Sequence, residues 1–506
     1  MLHIIPLFEM HQPKRLRCIF GKKPTKSADM EAEFFDDELN RRVFLRLANN
    51  SYLPGLRAIS QGVDQHGFKC AIVISGTLLE QSREWCPEVI DLLGGLARSG
   101  SCEFVGQTYY HSLASLIDEK EFMQQADMHR RVIKKLFGVD AVTFKNTGLI
   151  YNNAVADAAG RMGFRNVIAD GTERMLNWRS PNYIYAAKGS PVRVLVRNYR
   201  QSDMVNFRFA GTARQARRIA AKDFVDGLSY AEGDLTMIEF SLETFGEHFI
   251  NEAGPGDFLK DLPAQIGNHK DFMVETPSEA ADGLKPVGEV DIDEALSGAD
   301  LEKDLSAWVG NANQRYCFET MKYLKPIVEV SNEKMIRLWR LFTQSDNFQY
   351  MGTKGGATGA IHDYFSHFDS PVEAFISTLW AFTDFRQRLY AVAGKRSRYF
   401  RMLYGELPEG HAFHFAAGFA MPPEAIARNL FELRDAVGKA KQESIAFHLM
   451  RGDLSKWTDE ILGCSGLASE LRRIESKGGS AEVLRNEMVG CITAAIKDAK
   501  QQLGER

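Results

Sequence analysis

The chain has 506 residues, of which 44% are hydrophobic and 25% are charged. This length exceeds what one ordinary core holds, so it predicts two or three domains, or one barrel with appended elements. The formal net charge of −4 argues against a nucleic-acid-binding protein, because such proteins normally carry a basic surface.

The cysteines and the first residues indicate the compartment. Seven cysteines occur, an odd number, and no two stand in a Cys-x-x-Cys arrangement. This pattern argues against a disulfide framework and a structural zinc site, and reduced thiols are typical of the cytoplasm. The amino-terminal apolar run is short and has no basic lead, and no stretch approaches the roughly 18 apolar residues of a membrane span. We therefore expect a soluble cytoplasmic protein with no metal, no cofactor, no membrane contact and no nucleic-acid partner.

In the first half of the chain, short β-rich runs alternate with longer segments of helical periodicity. The helical segments include Phe122–Leu136 and Ala213–Val225. The β-rich runs, in chain order, are Leu2–Phe8, Phe68–Ser75, Cys102–Thr108, Val142–Thr147, Asn166–Asp170, Val192–Arg197, Met237–Leu242 and Phe272–Glu275. Such alternation predicts a parallel sheet covered by helices, and seven or eight units of this kind predict a closed or nearly closed barrel.

From about Glu302 onward the pattern becomes helical. The predicted helices are Leu305–Met321, Asn332–Phe342, Pro371–Val392, Pro422–Arg451 and Ala481–Leu503. Glycines and a proline between Gly405 and Gly410 predict a break in the chain. We therefore predict a barrel over residues 1–300, a helical domain over 301–404 and a small all-helical unit over 405–506.

Polar residues follow several predicted strands, where the chemistry of parallel barrels is found. They include His11 after the first strand, Glu103 to His111 around the third, Asn146 after the fourth, and Ser241 with Glu243 after the seventh. The alternative interpretation is that polar residues collect wherever strands become loops.

Seven short strings, in order, resemble the α-amylase group of glycoside hydrolase family 57. They are His11-Gln12-Pro13, Gly106–Leu113 (GQTYYHSL), Asn146–Asn153 (NTGLIYNN), Trp178–Tyr183 (WRSPNY), Arg197–Arg200 (RNYR), Glu243–His248 (ETFGEH) and His362–Phe365 (HDYF) leading to Pro371. The resemblance covers about residues 1–390. It implies an incomplete (β/α)7 TIM-like barrel followed by helices that close over the active site. It also implies a retaining mechanism on α-glucans, in which a nucleophilic carboxylate and an acid/base carboxyl lie about 5 Å apart.

Both positions that the resemblance assigns to those carboxylates are substituted. Gly148 stands at the nucleophile position and Ser241 at the acid/base position. On a regular strand Glu239, Ser241 and Glu243 share one face, so Glu243 is a possible surrogate acid. No Asp or Glu lies between Asp140 and Asp157 to replace the nucleophile.

The loop after Tyr350 also differs from the family's sequence pattern. Gly355 and Gly356 stand where the family has Trp and Phe, and their loss should enlarge the pocket, because aromatic faces support sugar rings. The residues that the resemblance still assigns to substrate binding are His11, Glu103, His111, His248, Lys354 and His362. The alternative is that such residues only hold loops together.

Three functions follow from this pattern. The first is an inactive relative that binds an α-glucan, such as a maltooligosaccharide, or a protein partner. The second is an active α-glucan hydrolase or 4-α-glucanotransferase with relocated acids, using Glu243 and an acid from the helical region. The third is an interaction scaffold without sugar binding, and the C-terminal helical unit, with His448 and Arg451 on one helix face, is a candidate partner surface. If the barrel is otherwise intact, Gly148→Glu with Ser241→Asp should restore weak turnover.

Overall fold

A computed structural model describes residues 1–19, 29–208, 219–247, 254–300, 302–354, 366–405, 407, 409–419 and 421–504. Within these ranges, ten strands join in one mostly parallel sheet and two more form a separate hairpin. The strands are β1 (Leu2–Met10), β2 (Cys70–Ile74), β3 (Cys102–Phe104), β4 (Thr143–Lys145), β5 (Asn166–Asp170), β6 (Ile184–Ala187), β7 (Arg193–Arg197), β8 (Leu235–Ser241), β9 (Phe272–Val274), β10 (Glu289–Val290), β11 (Phe413–Phe415) and β12 (Ala425–Ala427).

Seven of these strands close into a ring. Parallel ladders join β1 to β2, β2 to β3, β4 to β5, β5 to β7 and β8 to β1. One residue pair, Arg197 with Met237, joins β7 to β8, and an isolated parallel bridge from Gly106 to Phe144 joins β3 to β4. This ring is the seven-stranded barrel that the sequence predicts. Because its strands are parallel, the residues that follow them meet at one mouth.

Helices connect and cover the strands. In the first 300 residues they are Met30–Phe34, Asp37–Leu47, a π-helical turn Ala48–Tyr52, Leu53–His66, Gly76–Trp85, Pro87–Ser99, Ala114–Ile117, Glu119–Phe137, Asn153–Arg161, Glu173–Leu176, Tyr199–Arg208, Ala221–Leu228, Pro255–Gly267 and Pro277–Gly283. Later helices are Ser306–Val309, Ala312–Glu329, Glu333–Phe342, Ser345–Gln349, Pro371–Ala393, Lys395–Tyr404, Leu430–Lys439, Gln442–Arg451, Asp453–Glu460, Ser465–Glu475 and Ala481–Leu503.

All eight predicted strands are present, and the structure adds two in the barrel region that the sequence analysis missed. These are β6, which runs antiparallel to β7, and β10, which pairs with β6. Both are too short for a period-two pattern to stand out. The predicted helix Ala213–Val225 begins only at Ala221, and residues 209–218 lie outside the described residues.

The predicted helix Pro422–Arg451 is wrong in its first part. Residues Ala425–Ala427 pair with Phe413–Phe415 in an antiparallel hairpin, so the otherwise helical region contains two short strands. The helix begins instead at Leu430, where the side chain of Asn429 accepts a hydrogen bond from the backbone N–H of Glu432. A side-chain cap of this kind fixes a helix start more strongly than a preceding Pro-Pro pair.

The two faces of β1 show how the barrel positions the mouth. Ile4 and Phe8 belong to a core cluster with the covering helices, whereas Ile5 and Leu7 belong to a second cluster of inward-facing strand residues. Side chains on a strand alternate between faces. Glu9 therefore continues the inward face, at the carboxyl end of the strand.

The chain divides into two compact units, Met1–Met321 with Arg340–Ala381, and Lys322–Trp339 with Phe382–Arg506. In the second unit, Nε2 of His448 accepts a hydrogen bond from the Ala416 N–H, and its Nδ1 contacts Asp453. These contacts favour packing and capping as the role of His448. Across the described ranges, no helix has both the length and the apolar character that a membrane span requires. The three-domain division stays a prediction.

Candidate active site

A network of buried charges lies on the inner face of the barrel near the strand ends. The ammonium of Lys145 on β4 lies 2.7 Å from Oε1 of Glu9 and 2.9 Å from Oε1 of Glu239. The Arg197 guanidinium lies 3.0 Å from the other oxygen of Glu239 and donates to Asp170 over 2.9 Å. Five strands therefore contribute to one continuous set of ion pairs.

Glu9 and Lys145 favour their charged forms although burial disfavours charge. Burial opposes ionisation of Glu9, but Lys145 and His111 outweigh it and hold the pKa of its carboxyl well below the usual range. Burial also opposes the charge of Lys145, yet the carboxylates of Glu239 and Glu9 outweigh it and raise the pKa of the ammonium. Removing one member of such a set would leave its partner charged and buried. The floor of the mouth is therefore a fixed charge network.

His11, which lies two residues beyond Glu9 in the chain, contacts His111. Their rings stack at a centroid distance of 3.9 Å. Nε2 of His11 lies 2.9 Å from Oδ2 of Asp346, which is on the helix Ser345–Gln349, and Nδ1 lies 2.8 Å from the hydroxyl of Ser75. Asp346 is buried, but His11 outweighs that burial and lowers the pKa of the carboxyl to about 2. The predicted binding residues His11 and His111 are thus brought together, with a carboxylate beside them.

Glu243 lies close to Ser241 but is not one pleat further along a strand. The strand ends at Ser241, and residues Leu242–Thr244 form a 3-10 turn. Oε2 of Glu243 accepts from the Ser241 hydroxyl over 2.7 Å, and Oε1 accepts from the Tyr52 hydroxyl and the His11 N–H. Burial raises the pKa of Glu243, and these three donors oppose that rise. Both oxygens are therefore engaged.

Gly148 lies directly against an indole ring. A side chain there would place its Cβ 2.6 Å from Cζ2 of Trp308, a distance that real Cβ atoms do not show. Trp308 is 2% exposed and lies on the short helix Ser306–Val309. Gly148 also has a φ of 54°, in the left-handed region that disfavours larger residues. At the position that the resemblance assigns to the nucleophile, the space for a side chain is taken.

Of the other predicted binding residues, Glu103 and Lys354 are described, and neither is part of this cluster. Glu103 pairs in register with Ala71, three residues before the end of β2, and its carboxylate accepts from the Ser278 N–H. Lys354 is exposed and lies 3.4 Å from Glu302, at a cleft that Asp300 also lines. His248, His362 and the glycine loop at 355–356 lie outside the described residues.

Sequence reasoning missed several residues of the site. Glu9 had a detectable signal, because it shares the inward face with His11 at a spacing of two. Lys145 also had one, as a lone charge at the end of a buried strand. Tyr52, Trp308 and Asp346 had none, because each reaches the site from a helical segment distant in sequence.

Comparisons with known proteins show the family of this chain. Residues 6–293 match the family model described as Glycosyl hydrolase family 57. A protein of Methanocaldococcus jannaschii named "Putative alpha-amylase" is 36% identical over 400 residues, which are 77% of this chain and 85% of that protein.

Solved structures share the fold. The crystal structure of a 4-alpha-glucanotransferase from Thermococcus litoralis matches with a TM-score of 0.55 and 17% identity, over 76% of this chain and 60% of that chain. The GH57-type branching enzyme from Pyrococcus horikoshii matches with a TM-score of 0.57 and 14% identity, over 81% of this chain and 92% of that chain. At these identities the structures show the fold alone. The family match and the sequence relative carry the assignment: the chain belongs to glycosyl hydrolase family 57.

Proposed function

We propose that this chain is a family member that binds an α-glucan at the barrel mouth without cleaving it. The contact between Gly148 and Trp308 is the observation that carries the proposal. A retaining glycosidase needs a carboxylate beside the anomeric carbon, whereas residue 148 is a glycine, and any side chain there would have to displace the indole of Trp308. The names of the relatives, an amylase, a glucanotransferase and a branching enzyme, support α-glucan as the ligand class.

The acid/base position supports the same conclusion. Ser241 has an alcohol where an acid is needed, and its hydroxyl is hydrogen-bonded to Glu243. Glu243 in turn holds the backbone of His11 and the hydroxyl of Tyr52. A carboxylate with three donors is positioned to hold the mouth together rather than to give a proton to a leaving group. His11, at the rim, is the residue that we assign to a sugar hydroxyl.

Titration calorimetry with maltoheptaose tests the binding claim. We expect saturable heat for the native chain and a loss of about tenfold in affinity or more for His11→Ala, since a lost hydrogen bond to a ligand is worth about 1.5 kcal/mol. His66→Ala is the matched control, because His66 is an exposed residue at the end of the helix Leu53–His66. Flat titrations at millimolar sugar would remove the proposal and favour a scaffold without sugar binding.

A second candidate function is an α-glucan hydrolase or glucanotransferase with relocated acids. This function is favoured by two carboxyls that both contact His11, those of Glu243 and Asp346, because their pKa values are shifted in opposite directions. Burial raises the pKa of Glu243, whereas His11 overcomes burial and lowers the pKa of Asp346 to about 2. Carboxyls whose environments separate their pKa values are candidates for acid and base. Turnover that Glu243→Gln and Asp346→Asn each abolish would establish this function and overturn the first.

The structure predicts a different outcome from the sequence for the variant that restores both carboxylates. Gly148→Glu with Ser241→Asp would set a side chain against Trp308, so this pair alone should give no turnover. Adding Trp308→Ala removes the obstructing ring. Product formation by the pair without that third change would show that the indole moves freely.

A further inference from the structure

We propose that His11, His111 and Asp346 form a site for one divalent transition-metal ion of the zinc class. Each side chain offers one ligand atom, and these atoms all lie within 4.8 Å of one another. Two imidazoles and one carboxylate are a ligand set that zinc and its neighbours accept, with further positions left for water or a hydroxyl group. The proposal shares His11 with the α-glucan contact proposed above, and metal titration without any sugar tests it separately.

The rings are held in the way that metal-binding histidines are held. A ligating imidazole usually has its second nitrogen fixed by another polar group, which sets the tautomer and the ring orientation. Nδ1 of His11 lies 2.8 Å from the hydroxyl of Ser75 while Nε2 faces Asp346. His111 has Ser345 at 3.0 Å from Nδ1 and Glu9 at 3.6 Å from Nε2. Whichever nitrogen of His111 binds, the other keeps a partner.

The backbone of His111 points to the same role. Its φ is 49°, so a residue with a Cβ adopts the left-handed conformation. Such conformations are uncommon for residues other than glycine, although His, like Asn and Asp, is enriched among the exceptions, and they cluster at functional sites. Here the turn brings the His111 ring into a stack with His11 at 3.9 Å. Stacking alone does not require two imidazoles, because an apolar ring would pack as well.

Coordination needs only a small adjustment. Atoms bound to one tetrahedral zinc ion lie roughly 3.3 Å apart, given metal–ligand distances of about 2.0–2.1 Å. Nε2 of His11 and Oδ2 of Asp346 are already 2.9 Å apart. An ion between them would replace their hydrogen bond, and His111 would move inward by at most roughly 1.5 Å, which brings its nitrogen from within 4.8 Å to the tetrahedral spacing. All three residues belong to the same compact unit.

Metal binding by the full-length chain, free of any histidine tag, tests the proposal. After treatment with a chelator, the protein is titrated with ZnCl2 by calorimetry and with CoCl2 by visible absorption. We expect one equivalent to bind, visible d–d bands with cobalt, and a higher melting temperature with zinc, because an ion that binds only the folded chain stabilises it. His111→Ala and Asp346→Asn should each weaken zinc binding by about 100-fold or more, beyond the effect of a lost outer partner.

A control variant and a check of the fold keep the test decisive. His66→Ala removes an exposed histidine and should leave the stoichiometry and the affinity unchanged. Asp346→Asn keeps a side chain of the same shape beside His11, so circular dichroism that matches the native spectrum shows that the fold survives. If zinc does not bind the native chain, or if folded His111→Ala and Asp346→Asn bind it as tightly as the native chain, the proposal is overturned.

Discussion

The end of the fourth strand and the end of the first strand present opposite surfaces at the same barrel mouth. After β4, Gly148 is covered by the buried indole of Trp308. After β1, His11 meets His111 and Asp346, with side chains that keep 13–14% of their exposure. The side that would hold a nucleophile is closed and apolar, whereas the side that would hold a ligand is polar and partly open. This contrast is the basis of our proposal that the mouth has lost its reactive group and kept its binding groups.

The charge network that joins the two sides gives the largest expected effect. Lys145→Met should lower the free energy of unfolding by about 3–5 kcal/mol, because it removes the cation shared by Glu239, which is buried, and Glu9, which is partly buried. Urea unfolding measures the change. Lys188→Met is the control, since Lys188 is half exposed in its ion pair with Asp291, and its effect should stay below about 1 kcal/mol. Equal effects at the two lysines would show that the network does not join the two sides.

Alanine substitutions at two glycines, compared with each other, measure the cost of the contact with Trp308 that closes the fourth-strand side. Gly148 and Gly189 both have positive φ values, 54° and 68°, but only Gly148 faces a side chain within 4 Å. Gly189→Ala should cost about 1–2 kcal/mol from backbone strain alone. Gly148→Ala should cost a further 1–3 kcal/mol or so, because the added methyl group overpacks against Trp308. If urea unfolding gives equal losses of unfolding free energy for the two variants, the indole of Trp308 moves aside without an energetic cost.

Much of this comparison could be predicted from the sequence. Apolar runs located all eight predicted strands. The assignment of Gly148 and Ser241 to the substituted catalytic positions rests on the family strings and stays a prediction. The partners of those positions could not be predicted. Trp308 and Asp346 reach the mouth from helices more than 150 residues beyond Gly148, and strand periodicity carries no information on such contacts. The roles of His248 and His362, and of the C-terminal unit as a partner surface, stay predictions.

Acid should destabilise the barrel through a buried histidine that contacts the end of β2 and the segment after β3. His129 lies between the Ile74 carbonyl and the Gln107 N–H, and burial lowers its pKa to about 4. The unfolded chain then binds a proton on His129 near pH 6.5, whereas the folded chain binds it only near pH 4. Stability should therefore fall by about 1 kcal/mol per pH unit as pH drops from about 6.5 to 4. His129→Gln should flatten this slope in urea unfolding at several pH values, and an unchanged slope would contradict it.

The smallest expected effect is at Ser241. Ser241→Ala removes one hydrogen bond to Glu243, at a partly exposed site, and should lower the free energy of unfolding by about 1 kcal/mol. Binding of maltoheptaose should stay within about threefold of native, because Tyr52 and the His11 backbone still hold Glu243. A loss of binding as large as that of His11→Ala would place Ser241 in the ligand contact itself.

The most direct measurement is product formation by the native chain. The purified protein is incubated with saturating maltoheptaose, and chromatography follows the chain lengths over time against a Trp308→Ala control. A glucan-binding barrel with a closed nucleophile position should leave maltoheptaose intact at every protein concentration. Shorter or longer maltooligosaccharides that form in proportion to the native protein, and vanish in Glu243→Gln, would contradict it.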